Sequence, residues 1–146
     1  MLTRILAATV AGAVVMFLYG GLVWGWLLRS YFDGTMSATA KSVMNTEPSF
    51  VPLIVAQFIF AALFAFIFDR WASIRTFAAG LKGGAILMCA LSLGWDIEMT
   101  AFFKDMHVGS PYVPIAVDVI VATVMGAIAG GVIGLVLGKM NKEASN

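Results

Sequence analysis

Residues 114–137 read PIAVDVIVATVMGAIAGGVIGLVL. The run holds a single charge, Asp118. About 20 helical residues cross ~30 Å of hydrocarbon, so it is long enough to span a bilayer. Lipid offers the backbone no hydrogen-bond partner, so such a run is predicted to be helical. Three further runs fit the same reading. Residues 5–28 carry no charge, and residues 52–68 are short but also uncharged. Residues 77–103 carry Lys82 near the start and Asp96 and Glu98 towards the end. The chain therefore reads as all-α, an integral membrane four-helix bundle with residues 1–146 as one domain. Four spans are too few for a closed strand barrel, and the runs do not alternate.

Composition supports this reading. Of 146 residues, 61% are hydrophobic and 12% charged, against roughly 45–50% and about 25% in soluble domains. A core of this size cannot hide so much apolar surface from water, so membrane lipid is the expected partner. A net charge of +1 and the absence of a basic tail give no sign of nucleic acid. The lone Cys89 can form no internal disulfide and no cysteine metal cluster, and reads as a small buried hydrophobe. Arg4 followed by an apolar stretch mimics a secretory signal. The stretch is too long for an h-region of about 7–15 residues, so an uncleaved first span is expected.

Basic residues in short connections orient the bundle. Arg4, Arg70, Arg75, Lys82, Lys139 and Lys142 collect on one face, and Arg29, Lys41 and Lys104 on the other. Both termini are thus expected in the cytoplasm, in a multi-pass protein of the inner membrane. Trp24, Trp26, Tyr31 and Tyr112 are expected at the outer interface and Trp71 at the inner one. The longest loop, residues 29–49, has room for a short interfacial helix over residues 36–44, and residues 69–76 read as a tight basic turn.

The sharpest pattern is Gly126, Gly130, Gly134 and Gly138, each four residues apart. This spacing puts them on one helix face, where missing side chains let another helix approach closely. Weaker versions are Gly21/Gly25 and Gly80/Gly84. The ladder reads either as packing inside the bundle or as a seam for another subunit or a second copy. Gly130→Leu should break it, whereas Leu137→Phe should be tolerated.

The second pattern is acidic. Asp96, Glu98 and Asp118 fall at similar depth in antiparallel spans. Acids inside a span are costly and find partners, water or ions. Asp96 and Glu98 point roughly 200° apart on a helix and do not form one bidentate site. Asp118 reads as a first-turn carboxylate favoured by the helix dipole. Asp96 reads as paired with Arg29, as a proton or cation site, or as a contact for a partner protein or headgroup. Gln57 and Tyr19 are expected to hydrogen-bond within the bundle. His107, the only histidine, reads as a solvated loop residue. No phosphate loop, metal-binding pair or nucleophile–histidine set is present, so no cofactor, no metal and no enzymatic activity are expected.

Residues 11–28 (AGAVVMFLYGGLVWGWLL), the GWD at 94–96 and residues 117–140 (VDVIVATVMGAIAGGVIGLVLGKM) resemble small uncharacterised four-span bacterial membrane proteins of the domain-of-unknown-function type. The resemblance implies a fold and no activity. The chain departs from small multidrug transporters, which carry a central glutamate in span one, and lacks the arginine signature of small fluoride channels. Two functions fit. One is a non-catalytic accessory or scaffold subunit, or a homo-oligomer, packed through the glycine face of span four. The other is a small oligomeric transporter or channel with an acidic site at Asp96.

Overall fold

A computed structural model describes residues 2–45 and 47–143, apart from the side chains of residues 142 and 143. Four long helices form the bundle. α1 (Leu2–Leu22) continues into a π-helical turn (Val23–Leu27). Two short helices follow, α2 (Arg29–Thr35) and α3 (Ala38–Val43). α4 (Phe50–Arg70), α5 (Phe77–Phe102) and α6 (Tyr112–Glu143) complete the chain. The four apolar runs are long enough to cross a membrane, and they confirm the all-α bundle.

The helices outrun the charge-free windows. The first span is Leu2–Leu27, the second Phe50–Arg70 and the last Tyr112–Asn141, because interfacial residues keep helical hydrogen bonds after their side chains turn polar. Polar caps set other ends. Thr76 accepts from the Ala79 amide at 3.2 Å to open α5, and Ser37 accepts from the Ala40 amide at 3.0 Å to open α3. Each hydroxyl satisfies an amide left unpaired by the first helical turn. The expected interfacial helix over 36–44 is thus a two-helix segment broken at Met36 and Ser37.

α6 is the central helix. Half of its apolar window is buried, against 17% for α4 and for α5. α1 lies against α4 and α6, whereas α5 packs almost wholly on α6 and barely meets α4. Met16, Phe64, Phe68, Ile133 and Leu137 fill the core between α1, α4 and α6. Alanines 8, 61, 65 and 129 are fully buried among them and let the backbones close up. Leu137 is 0% exposed, which overturns the expectation that Leu137→Phe is tolerated: a ring there overpacks a filled core.

The glycine ladder closes on α5. A Cβ added at Gly130 would strike the Gly80 carbonyl, and at Gly126 the Gly84 carbonyl and the Met88 side chain. At Gly134 it would lie 2.6 Å from the Thr76 carbonyl, and at Gly138 it would strike that of Arg75. The reciprocal partners are Gly80 and Gly84, the weaker pair in the sequence. The face is therefore filled from within the chain, by α5 and the turn before it. Gly21 and Gly25 meet nothing within 4 Å.

The Arg4 Nη1 donates to Asn141 Oδ1 at 2.7 Å, so the start of α1 and the end of α6 share one end of the bundle. At the other end the loops are stitched together. Ser37 N donates to Met106 O at 3.0 Å and Val108 N to Thr35 O at 2.8 Å, flanking an isolated bridge between Met36 and His107. His107 is half-buried there rather than fully solvated.

Candidate functional site

Two polar clusters lie in the bundle, one near each end. Towards the loop end, α5 brings Asp96 and α6 brings Asp118 to the same depth. Each sits six residues from the end of its helix, or about 9 Å along the axis. The two carboxyls are close neighbours across the α5–α6 seam. Trp24 completes the group: its Nε1 donates to Asp118 Oδ1 at 2.6 Å. All three residues are half-buried. Asp96 Oδ2 is buried with no hydrogen-bond partner among the described residues, and so is the Ser92 hydroxyl one turn earlier on the same helix.

The π turn is what aims Trp24. Leu28 N donates to Val23 O at 2.8 Å, an i→i+5 bond that inserts one residue into the turn and rotates what precedes it. Such turns are often found at functional sites. Tyr19 braces the indole edge-on, with ring centroids 6.1 Å apart. Its hydroxyl donates to Val121 O at 3.2 Å, the internal bond the sequence suggests. Trp24 is thus a site residue that its reading as an interfacial anchor missed. The only signal was its depth, shared with Asp118. Trp26, 73% exposed, does stand on the surface.

Several predicted site residues go elsewhere. Arg29 does not pair with Asp96. Its Nε lies 3.8 Å from Asp33 Oδ2, with both side chains mostly exposed, because the chain breaks at Leu28 and Arg29 opens the separate helix α2. Glu98 is exposed on the far side of α5, as its angular offset from Asp96 requires. Asp118 is the seventh residue of α6, so it lies in the second turn, and Trp24 rather than a first-turn dipole holds it. Gln57 Oε1 is buried without a hydrogen-bond partner among the described residues. It lies beside a crevice of about 210 Å³ lined by residues including Ala13, Phe17 and Phe58, so the expected bond to a neighbouring helix is not made. Among the described residues no group of three or more His, Cys, Asp or Glu side chains could hold a metal ion.

The second cluster, at the end bearing the termini, was not anticipated. The Asp69 side chain is 0% exposed. Arg4 Nε lies 2.9 Å from Oδ1, and Arg4 Nη2 donates to Oδ2 at 3.2 Å. Arg75 Nη2 lies 2.8 Å from Oδ1 and donates to the Asp69 carbonyl at 3.2 Å. Arg75 Nη1 reaches the carbonyls of Phe68 and Ile74, capping the open end of α4. One buried carboxylate thus clasps α1, α4 and the turn before α5, and Arg4 extends the clasp to α6 through Asn141. The supposed basic turn is shorter than expected, since Asp69 and Arg70 still belong to α4. Ser73, at φ 51°, reverses the chain. Comparisons with protein-family models, curated proteins and solved structures find no match.

Proposed function

We propose that this integral membrane protein is non-catalytic and works as a small oligomeric transporter or channel, with the Asp96–Asp118 pair as its proton or cation site. The observation that carries the reading is the buried, unpartnered Asp96 oxygen, set at the same depth as Asp118 on the helix packed against it. Acids inside a span face the bundle interior or water and find partners, and a proton or cation would serve as one here. Trp24 supplies one donor to Asp118 and leaves Asp96 to the exchangeable ligand. A four-span monomer is too thin to enclose a pathway, so transport would require several copies. The charge asymmetry supports an orientation with both termini in the cytoplasm, and hence placement in the inner membrane. The resemblance to four-span bacterial proteins fits the same frame.

Flux measurements on protein reconstituted in liposomes test this reading. Asp96→Asn should abolish proton or monovalent-cation flux, and Asp118→Asn should reduce it. Undiminished flux through Asp96→Asn would remove Asp96 from the mechanism.

A second reading is an accessory or scaffold subunit. It loses the glycine face of α6, which α5 fills. It is supported instead by the open Gly21 on α1 and Gly25 in the π turn that continues it, which meet nothing within 4 Å and leave room for a helix of another chain or a second copy. Migration as a lone monomer in mild detergent would count against both readings.

A further inference from the structure

We propose that the end bearing the termini binds the headgroup of an anionic phospholipid, at the Arg4–Asp69–Arg75 clasp and the exposed cations Arg70, Lys82 and Lys139 of the same end. The modest net charge of +1 conceals a strongly polarised molecule. At the terminal end stand Arg4, Arg70, Arg75, Lys82 and Lys139, and Asp69 is the only acid among the described side chains there. Lys142 and Glu143, both in the last turn of α6, cancel in formal charge. That half therefore carries +4. The other half holds Arg29, Lys41 and Lys104 against Asp33, Glu47, Asp96, Glu98, Asp105 and Asp118, a formal −3 before any proton or cation held by Asp96 and Asp118 is counted.

Asp69 cannot neutralise this excess. Both its oxygens are occupied by guanidinium groups and its side chain is closed to solvent. The two arginines it holds remain reachable, with side chains 21% and 24% exposed. Arg4 keeps N–H donors beyond those used by Asp69 and Asn141. Arg70, Lys82 and Lys139 are exposed.

The position selects the anion. Trp71 follows Arg70, is 74% exposed, and lies at the level where indoles mark the membrane–water interface. Lys82 lies five residues into α5, within reach of the same level by extending along the helix. Phosphodiester groups occupy that layer, and cations beside it attract acidic lipids within a Debye length. Guanidinium groups pair with phosphate oxygens in two-pronged geometry. The acidic loop end repels the same headgroups, so the preference is one-sided.

The experiment uses the full chain in nanodiscs of equal phosphatidylcholine and phosphatidylglycerol, with retained lipids counted by native mass spectrometry after gentle release. Phosphatidylglycerol should be enriched on the wild-type protein. The double variant Arg70→Gln/Lys82→Gln should lose about five-fold of that enrichment per cation removed. These two side chains lie outside the clasp, so the variant should keep its helical circular dichroism. Lys41→Gln/Lys104→Gln, at the other end, should leave the enrichment unchanged. Equal retention of the two lipids by the wild type would overturn the proposal. So would a wild-type enrichment in the Arg70/Lys82 variant, or an equal loss in the Lys41/Lys104 variant. Inorganic phosphate added to protein in pure phosphatidylcholine should not raise its melting temperature. A clear rise would assign the surface to free phosphate and defeat the lipid assignment.

Discussion

At the scale of single residues, absence and presence of side chains do opposite work. Gly80, Gly84, Gly126 and Gly130 matter for what they lack. With carbonyls where a Cβ would sit, α5 and α6 touch backbone to backbone, and dispersion holds them in a solvent that provides no hydrophobic drive between helices. Gly130→Leu should cost about 3 kcal/mol, at the upper end of overpacking penalties, because a backbone cannot give way as a flexible side chain can. Gly21→Ala, into open space, should be neutral or gain up to about 1 kcal/mol from helix propensity. Unfolding in detergent micelles measures both. Trp24 matters for one atom. Trp24→Phe keeps an aromatic, though smaller, ring but deletes the bond to Asp118, and should cost about 1–2 kcal/mol in the same assay. Equal stability of Trp24→Phe and wild type would show that the indole merely fills space.

At the scale of elements, each long helix has a different task. α6 is the pillar, α1 and α4 share a side-chain core with it, and α5 is strapped on by glycine. α5 has only Gly80, Gly84 and Met88 buried, so its attachment depends on the narrow seam and on the turn before it. That turn is anchored by Asp69. Asp69→Asn leaves two guanidinium groups around a neutral amide and should destabilise the bundle by about 3 kcal/mol, the scale for breaking a buried ion pair. Arg70→Gln next door, exposed and outside the clasp, should change stability by less than about 0.5 kcal/mol. The test is again a melting curve, and similar losses in the two variants would contradict the clasp. The π turn is the other special element. Deleting Gly25 should restore α-helical register after Leu22 and shift Trp24 relative to Asp118. The expected signature is a change in indole fluorescence that the Trp24→Phe background lacks.

At the scale of the whole molecule, the termini lie together and the two ends carry opposite charge. Reporter tags on the two termini should be found in one compartment, the cytoplasm by the basic-residue bias. Detection on opposite sides would refute an even number of crossings. The four spans were legible because lipid imposes one rule on every backbone group, so length and apolarity alone decide helix from loop. The glycine face was legible too, from a four-residue repeat, but its partner was not. A helix face records what it can accept, and Gly80/Gly84 and a foreign helix would leave the same mark on α6. The acids were legible as a layer, since depth follows from counting residues. Which of them meet was not, because Arg29, Trp24 and Asp118 could each reach Asp96 in some packing of the helices. Asp69 escaped notice at the edge of an apolar run, where a charge ordinarily faces water. The sequence alone determined how often the chain crosses the bilayer, which ends lie together and where each polar group stands along the normal, since these depend on distance along the chain. Tertiary structure alone decided what each group faces across the bilayer plane, because rotation and neighbour choice arise only when helices pack.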